Sequence, residues 1–293
     1  MSSTQIGFIG LGVMGEPICR NILQKSGAEV HVFDLDGAAV DRLVAHGAHQ
    51  ANTVADLARA VDILFLSLPG GPQVEAVILG PDGILAHGRE GLSVVDMSTA
   101  PVGLTRSIAD ELAAKDIDFA DAPVARTRQA AEDGTLSVMV GGSVDMFQRI
   151  KPLLAHAATE ITHCGPVGCG QVVKILNNMV LFETVVALSE ALSLGKAAGV
   201  DPDLLFETLS KGSADSFALR NHGKKAMLKD NFPKGAFPTD YALKDVSYAL
   251  DLAQFTGIRA HGAELAQARM NKAKAAGFGD EYFPVLLRVT DKA

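Results

Sequence analysis

Gln5-Ile-Gly-Phe-Ile-Gly10-Leu-Gly12-Val13-Met14-Gly15 runs from a short apolar segment straight into three spaced glycines. Pro17 to Gln24 then reads as helix and Gly27 closes it. Glu29-Val-His-Val-Phe-Asp34 reads as a second strand. Strand, glycine turn, helix and an acid-terminated strand within about 30 residues form the dinucleotide-binding pattern in its required context. Each glycine has a separate task. Gly10 permits the tight turn, Gly12 lets a pyrophosphate approach the backbone, and Gly15 lets the helix pack on the strand. The helix N-terminus offers N–H groups and a positive dipole to the phosphates. Asp34 suits the two ribose hydroxyls of NAD and opposes a 2′-phosphate, and Asp34-Leu-Asp36-Gly37 contains no cation. NAD is therefore expected over NADP; the bland alternative for Asp34 is a solvated strand-end acid.

Moving outward, the αβ alternation continues. Asp62-Ile-Leu-Phe-Leu-Ser-Leu-Pro69 is a nearly unbroken apolar strand, as in a parallel sheet covered on both faces. Further strands are expected at Ser93–Thr99, Asp118–Pro123, Leu136–Gly142 and Glu160–Cys164, with helices between them. Ligands of such sheets lie at the carboxyl ends of strands, where Leu68-Pro69, Ser98-Thr99 and Pro123–Thr127 fall. Beyond Gly165 no strand is evident. Asp201-Pro202 is an N-cap followed by proline at the first helical position, and Phe237–Thr256 and His261–Ala276 read as helices. The expected architecture is an α/β Rossmann-like N-terminal domain, residues 1–164, followed by an all-α C-terminal domain, residues 165–293. A long shared helix, about 168–198, joins the two.

That helix opens as Gly168-Cys-Gly-Gln-Val-Val-Lys174-Ile-Leu-Asn177-Asn178 and would be roughly 40 Å long. Its apolar residues occur on almost every side, so burial nearly all round is expected. Lys174, Asn177 and Asn178 nonetheless share one face at i, i+3 and i+4. A lysine on such a helix needs a reason. Beside a dinucleotide site, its ammonium would supply a proton when a carbonyl accepts hydride, and its amine would take the proton in reverse. Asn178, one turn on, would hold substrate and orient Lys174. The alternative is a lysine whose head reaches solvent at the helix start.

Composition narrows the function. A formal net charge of −8 over 293 residues, without patterning, argues against nucleic acid or an anionic membrane as main partner. The N-terminus lacks a basic region before its apolar segment, and Lys174, the Asn pair, Glu183 and Glu190 interrupt the long apolar helix. Three cysteines without a framework read as reduced, so a cytoplasmic protein without a metal site is expected.

The chain resembles the β-hydroxyacid dehydrogenases, a family that includes 3-hydroxyisobutyrate dehydrogenase, tartronate semialdehyde reductase and sulfolactaldehyde reductase. Gly7–Gly15 is similar to the family's cofactor motif. Asp121-Ala-Pro-Val124 continuing to Gly134–Gly142 is similar to its substrate motif, and Gly168–Asn178 to its catalytic motif. Lys244-Asp245 followed by Ala249 is similar to its cofactor-closing motif. The resemblance implies an NAD-dependent oxidoreductase of a small anionic hydroxyacid or semialdehyde, with Lys174 as general acid/base and assembly as a homodimer or homotetramer. It places Gly12, Val13 and Met14 at the pyrophosphate, Asp34 at the adenosine ribose, and Leu68 and Thr99 along the nicotinamide half, with Gly10, Gly15 and Pro69 completing the cofactor-binding set. Lys244 would reach the cofactor, and Thr99, Ala125, Arg126, Thr127, Asn177 and Asn178 would meet substrate. One departure stands out. Many members read Asp-x-Pro-Val-Ser-Gly-Gly, whereas here the text is Asp121-Ala-Pro-Val-Ala125-Arg126-Thr127. A guanidinium fork suits a sulfonate or a doubly anionic substrate. It equally suits an ordinary carboxylate, or folds back to a local Asp. Imine reduction and a non-catalytic NAD sensor are the competing expectations, and the presence of Lys174 opposes both.

Overall fold

A computed structural model describes residues 4–290. The chain divides into two compact units between Lys174 and Ile175. The first contains nine strands: β1 (Gln5–Ile9), β2 (Glu29–Phe33), β3 (His49–Gln50), β4 (Ile63–Leu66), β5 (Ser93–Asp96), β6 (Asp118–Asp121), β7 (Val124–Ala125), β8 (Leu136–Gly141) and β9 (Ala158–Gly165). They form one sheet in the order β3-β2-β1-β4-β5-β6-β8-β7, with β9 pairing β8. Pairing is parallel except where β8 runs antiparallel to β6 and β7. The first six positions follow the doubly wound order, whose ligand crevice opens between β1 and β4 at their carboxyl ends.

Helices α1 (Gly15–Ser26), α2 (Gly37–Val44), α3 (Val54–Ala60), α4 (Gly71–Leu79), α5 (Ile84–His87), α6 (Val102–Ala113), α7 (Arg128–Glu132) and α8 (Val144–Leu154) accompany this sheet. Two apolar clusters form. One gathers Phe8, Ile18, Ile22, Val32, Leu43 and Ile150 on one face. The other gathers Leu64, Leu66, Ile78, Val94, Ile108 and Leu112 on the opposite face. Alternate residues of a strand point to opposite faces, so the unbroken apolar text of Ile63–Leu66 fills both clusters. Asp36, Thr53, Thr127 and Ser143 cap α2, α3, α7 and α8 with their side-chain oxygens. The short β3, β7, α5 and α7 were not expected, because two to five residues carry too little periodicity to register.

The long helix is α9 (Cys169–Ala197). It is not buried all round. Ile175, Asn178, Phe182, Val185, Ser189 and Leu192 form a buried stripe, whereas Val173, Leu176, Val180 and Leu194 are exposed. The intervals of three and four trace one face. Length and apolar composition alone also fit α9 to a membrane span, but that buried stripe includes Asn178 and Ser189. The second unit continues with α10 (Pro202–Leu209), α11 (Thr239–Thr256) and α12 (His261–Ala273). Asp201 caps α10 as expected. A π-helical segment, Leu219–Met227, was not foreseen. Phe182, Phe206, Leu219, Met270 and Phe283 centre this unit's core.

Candidate active site

The carboxyl ends of β1, β2 and β4 build the first part of the site. Gly10 donates its N–H to Phe33 at 3.1 Å, and Ser67 donates to Ile9 at 2.9 Å, so the glycine turn is fastened on both sides. Gly10 has φ +92°, and a Cβ there would run into the Ser67 carbonyl. A Cβ on Gly15 would run into the Gly10 carbonyl oxygen. Both positions need glycine for the protein's own packing. Gly12 differs: a Cβ there meets nothing within 4 Å. The fold leaves space beside its backbone, no side chain caps α1, Val13 is 55% exposed and Met14 is half-buried. A pyrophosphate fits that opening.

Asp34 does more than face outward. One carboxylate oxygen accepts from Leu11 N–H and the other from Asp36 N–H at 2.7 Å. The acid thus ties the end of β2 to the glycine turn while each oxygen keeps a second lone pair for a ribose hydroxyl.

Leu68 and the loop carrying Thr99 belong to a second hydrogen-bonded layer, and Pro69 directly follows Leu68. Leu68 donates its N–H to Ser98 Oγ at 2.9 Å, and Ser98 donates its N–H to Asp96 Oδ1 at 2.9 Å. Gln171, on the first turn of α9, brackets Thr99. Its Nε2 donates to the Ser98 carbonyl at 2.8 Å and its Oε1 accepts from Ala100 N–H at 3.1 Å. Lys174 lies three residues further along α9 and is half-buried. The loops after β4 and β5 and the first turn of α9 therefore form one network through Leu68, the peptides flanking Thr99 and Gln171, with Lys174 three residues further along the helix.

Two fully buried carboxyls underlie it. Asp96 and Asp121 are register partners on β5 and β6. Burial pushes the Asp96 carboxyl up to about 7, against the lowering effect of Ser98, with the neighbouring Asp121 pushing the same way. Among the described residues, Asp96 Oδ2 finds no hydrogen-bond partner. Burial also raises Asp121, to about 6, against the lowering effect of backbone N–H groups from Gly168, Gln171 and Gly170.

The structure relocates two expected substrate contacts. Arg126 sits at φ +87°, in the left-handed region that favours glycine. Its Nη1 donates to the Thr135 carbonyl and, at 3.0 Å, to Thr159 Oγ1. The side chain is folded back onto its own sheet. Thr127 uses its hydroxyl to cap α7, accepting from Ala130 N–H at 3.3 Å. Ala125 pairs with Ser137 in the β7–β8 ladder.

In the second unit, Asn178 is 3% exposed and donates to Asp245 Oδ2 at 2.8 Å. Asn177, which is exposed, donates to Asn178 Oδ1 at 3.1 Å. Lys244 Nζ lies 3.2 Å from Asp245 Oδ1 and 3.8 Å from the Tyr241 ring centroid, a cation–π distance. Asn177, Asn178, Asp245, Lys244 and Tyr241 thus form one cluster. Sequence reading assigned no role to Gln171, Asp121 or Asp245. A buried polar residue inside an otherwise matching motif is the signal that marks them.

A doubly wound sheet, a glycine turn with open space at Gly12 and an acid at the end of β2 define an NAD(P)-binding oxidoreductase. Comparisons narrow the class. Residues 5–165 match the family profile described as the NAD binding domain of 6-phosphogluconate dehydrogenase. Residues 168–290 match that described as NAD-binding of NADP-dependent 3-hydroxyisobutyrate dehydrogenase. The chain is 37% identical over 290 residues to 2-(hydroxymethyl)glutarate dehydrogenase of Eubacterium barkeri, covering 99% of this chain and 96% of that one. It is 37% identical over 256 residues to 3-hydroxyisobutyrate dehydrogenase of Pseudomonas aeruginosa, covering 86% of each. The solved structure of Mycobacterium tuberculosis 3-hydroxyisobutyrate dehydrogenase with L-serine superposes with a TM-score of 0.89 at 28% identity, covering 98% of this chain and 99% of that one. The chain belongs to the β-hydroxyacid dehydrogenase family, whose members are NAD(P)-dependent oxidoreductases acting on CH–OH groups.

Proposed function

We propose that this protein interconverts a short β-hydroxycarboxylate and its semialdehyde, with Lys174 as the general acid/base and NAD as the preferred cofactor. The observation that carries this is the network through Gln171. It anchors the helix of Lys174 to the two peptide groups flanking Thr99, in the layer that also holds Leu68. The cofactor, when bound, supplies or accepts the hydride. Lys174 donates a proton to the carbonyl oxygen as it becomes an alkoxide, or withdraws one from the alcohol in reverse. Asn178, fixed by Asp245, presents an amide to substrate one turn along the same helix. Lys244 keeps the cofactor role that the resemblance implies. NAD preference rests on the Asp34 carboxylate and on the absence of a cation in Asp34–Gly37. Residues 1–164 serve the cofactor and residues 165–293 serve substrate and assembly as a homodimer or homotetramer.

The named compounds of the three relatives share one unit, a CH2OH group on the carbon that bears a carboxylate. 3-Hydroxyisobutyrate carries a methyl on that carbon, serine an ammonium, and 2-(hydroxymethyl)glutarate a second carboxylate arm. A sulfonate substrate would draw its support from Arg126, whose guanidinium is turned to Thr135 and Thr159. The carboxylate reading is therefore preferred. The test is Lys174→Ala assayed by NADH absorbance against a panel of β-hydroxyacids and semialdehydes, sulfolactaldehyde included. The expected outcome is intact NADH binding with kcat lowered about 10²- to 10⁴-fold. Near-normal turnover in that variant would remove Lys174 from the mechanism.

A further inference from the structure

The first turn of α9 is held in an unusual way. An α-helix leaves its first N–H groups without intrahelical partners, and a side chain close by in sequence usually caps them. Here the cap comes from β6. Asp121 Oδ1 accepts from Gly168 N–H at 2.7 Å and Oδ2 from Gln171 N–H at 2.7 Å, across 47 and 50 residues of sequence. Gly170 N–H is a further donor to the same carboxylate. The turn also lies hard against β8. A Cβ on Gly170 would collide with the Met139 carbonyl and stand 2.7 Å from Asp121 Oδ2, and one on Gly141 would stand 2.8 Å from Gly170 N. A side chain at Gly170 or Gly141 would not fit between strand and helix, so the helix start packs directly on the strand backbone.

Gln171 supplies the second attachment. It is fully buried, and both ends of its amide are spent on the peptide groups either side of Thr99. Asp121 thus sets where the first turn of α9 lies, and Gln171 sets its separation from the Thr99 loop. Lys174 projects from the next turn. A buried carboxylate is costly, and what offsets the cost here is the set of N–H donors at the positive end of a helix. Such an arrangement fixes geometry more than it adds stability.

We propose that Asp121 and Gln171 are positioning residues of the reaction: together they lock the first turn of α9 so that Lys174 is held at the reacting oxygen beside Thr99. This rests on Lys174 being the proton-transfer group. Neither residue meets substrate or cofactor in this role; both act through Lys174. The charged and titratable groups around Asp121 are Asp96 on β5 and Cys164 on β9, with Cys169 beside Cys164 at the start of α9 and Arg106 of α6 beside Gly168. Because burial brings the Asp121 carboxyl to about 6, protonation below that pH weakens the cap, and kcat carries an acid limb there.

Asp121→Asn keeps the shape, removes the charge and sets an NH2 against a backbone N–H. The expected result is a kcat lower by about 100-fold, the scale of a misplaced catalytic group, with the Kd for NADH and the KM for substrate within about twofold and the acid limb gone. Gln171→Met, matched in length and without hydrogen bonds, should lower kcat while keeping the acid limb. In a Lys174→Ala background, Asp121→Asn should cost less than about twofold more in single-turnover hydride transfer, because the group being positioned is already absent. An unchanged kcat in both single variants overturns the proposal. So does a full additional loss in the Lys174→Ala background, which would mean that Asp121 acts on something else. Wild-type activity of Lys174→Ala alone would instead overturn the functional reading beneath it. If Asp121→Asn does not fold, amide exchange at Gly168, Gly170 and Gln171 of the wild-type protein decides. Protection that weakens as pH falls through about 6 supports the cap, and protection constant with pH overturns it.

Discussion

Replacing Asp96 by Asn should make the protein more stable at slightly alkaline pH, by a margin that shrinks as pH falls into mild acid. Asp96 is fully buried, its Oδ2 finds no partner among the described residues, and its register neighbour on β6 is another carboxyl. Burial is the main cause of its rise from 3.8 to about 7. Between those two values the unfolded chain has released the proton and the folded chain keeps it. The folded state then binds more protons, so stability falls as pH rises, and levels off above about 7. The whole shift corresponds to on the order of 4 kcal/mol, of which about 3 kcal/mol falls between pH 5 and pH 8. Asparagine cannot ionise, and its side-chain oxygen still accepts from Ser98 N–H. Asp121 contributes its own slope in both proteins, so it largely cancels in the difference. The assay is urea unfolding of wild type and variant at half-unit steps from about pH 5 to 8, taken as variant minus wild type at each pH. That difference should rise by about 3 kcal/mol across the range. Parallel curves would show that Asp96 titrates normally and would refute the buried-carboxyl reasoning.

The glycine turn allows a paired test. Gly15→Ala drives a Cβ into the Gly10 carbonyl and should cost about 1–3 kcal/mol in thermal unfolding; Gly12→Ala, with nothing within 4 Å, should keep Tm and weaken NADH binding. Equal NADH affinity in Gly12→Ala would contradict a pyrophosphate at that opening. Asp34→Arg should shift preference towards NADPH and also lower stability by about 1–3 kcal/mol, because the buried Leu11 N–H loses its acceptor; no change in cofactor ratio would remove the ribose contact. Arg126→Gly relieves a left-handed φ and removes the bonds to Thr135 and Thr159, so stability should move by no more than about 1 kcal/mol and KM for a β-hydroxycarboxylate by less than about twofold. A large loss of anion binding in that variant would restore Arg126 as the clamp.

The sequence by itself determined the doubly wound unit and singled out the candidate residues for its chemistry. Glycine spacing, the apolar run Ile63–Leu66 and the terminal acid Asp34 are local patterns, set by turn geometry and by the period of a strand. That Lys174 and Asn178 lie on one helix face was legible for the same reason, since i and i+4 on a helix must share a face. What tertiary structure decided depends on partners far away in the chain. The Asp121 cap needs β8 and the start of α9 to meet β6, and the Arg126 fold-back needs Thr159, 33 residues on. Composition made α9 apolar on every side, but coverage is a property of neighbours, and only one stripe is covered. Asp96 was an ordinary strand residue in the text. Its raised pKa arises mainly because the folded sheet buries it completely, and its register neighbour Asp121 on the next parallel strand pushes the same way.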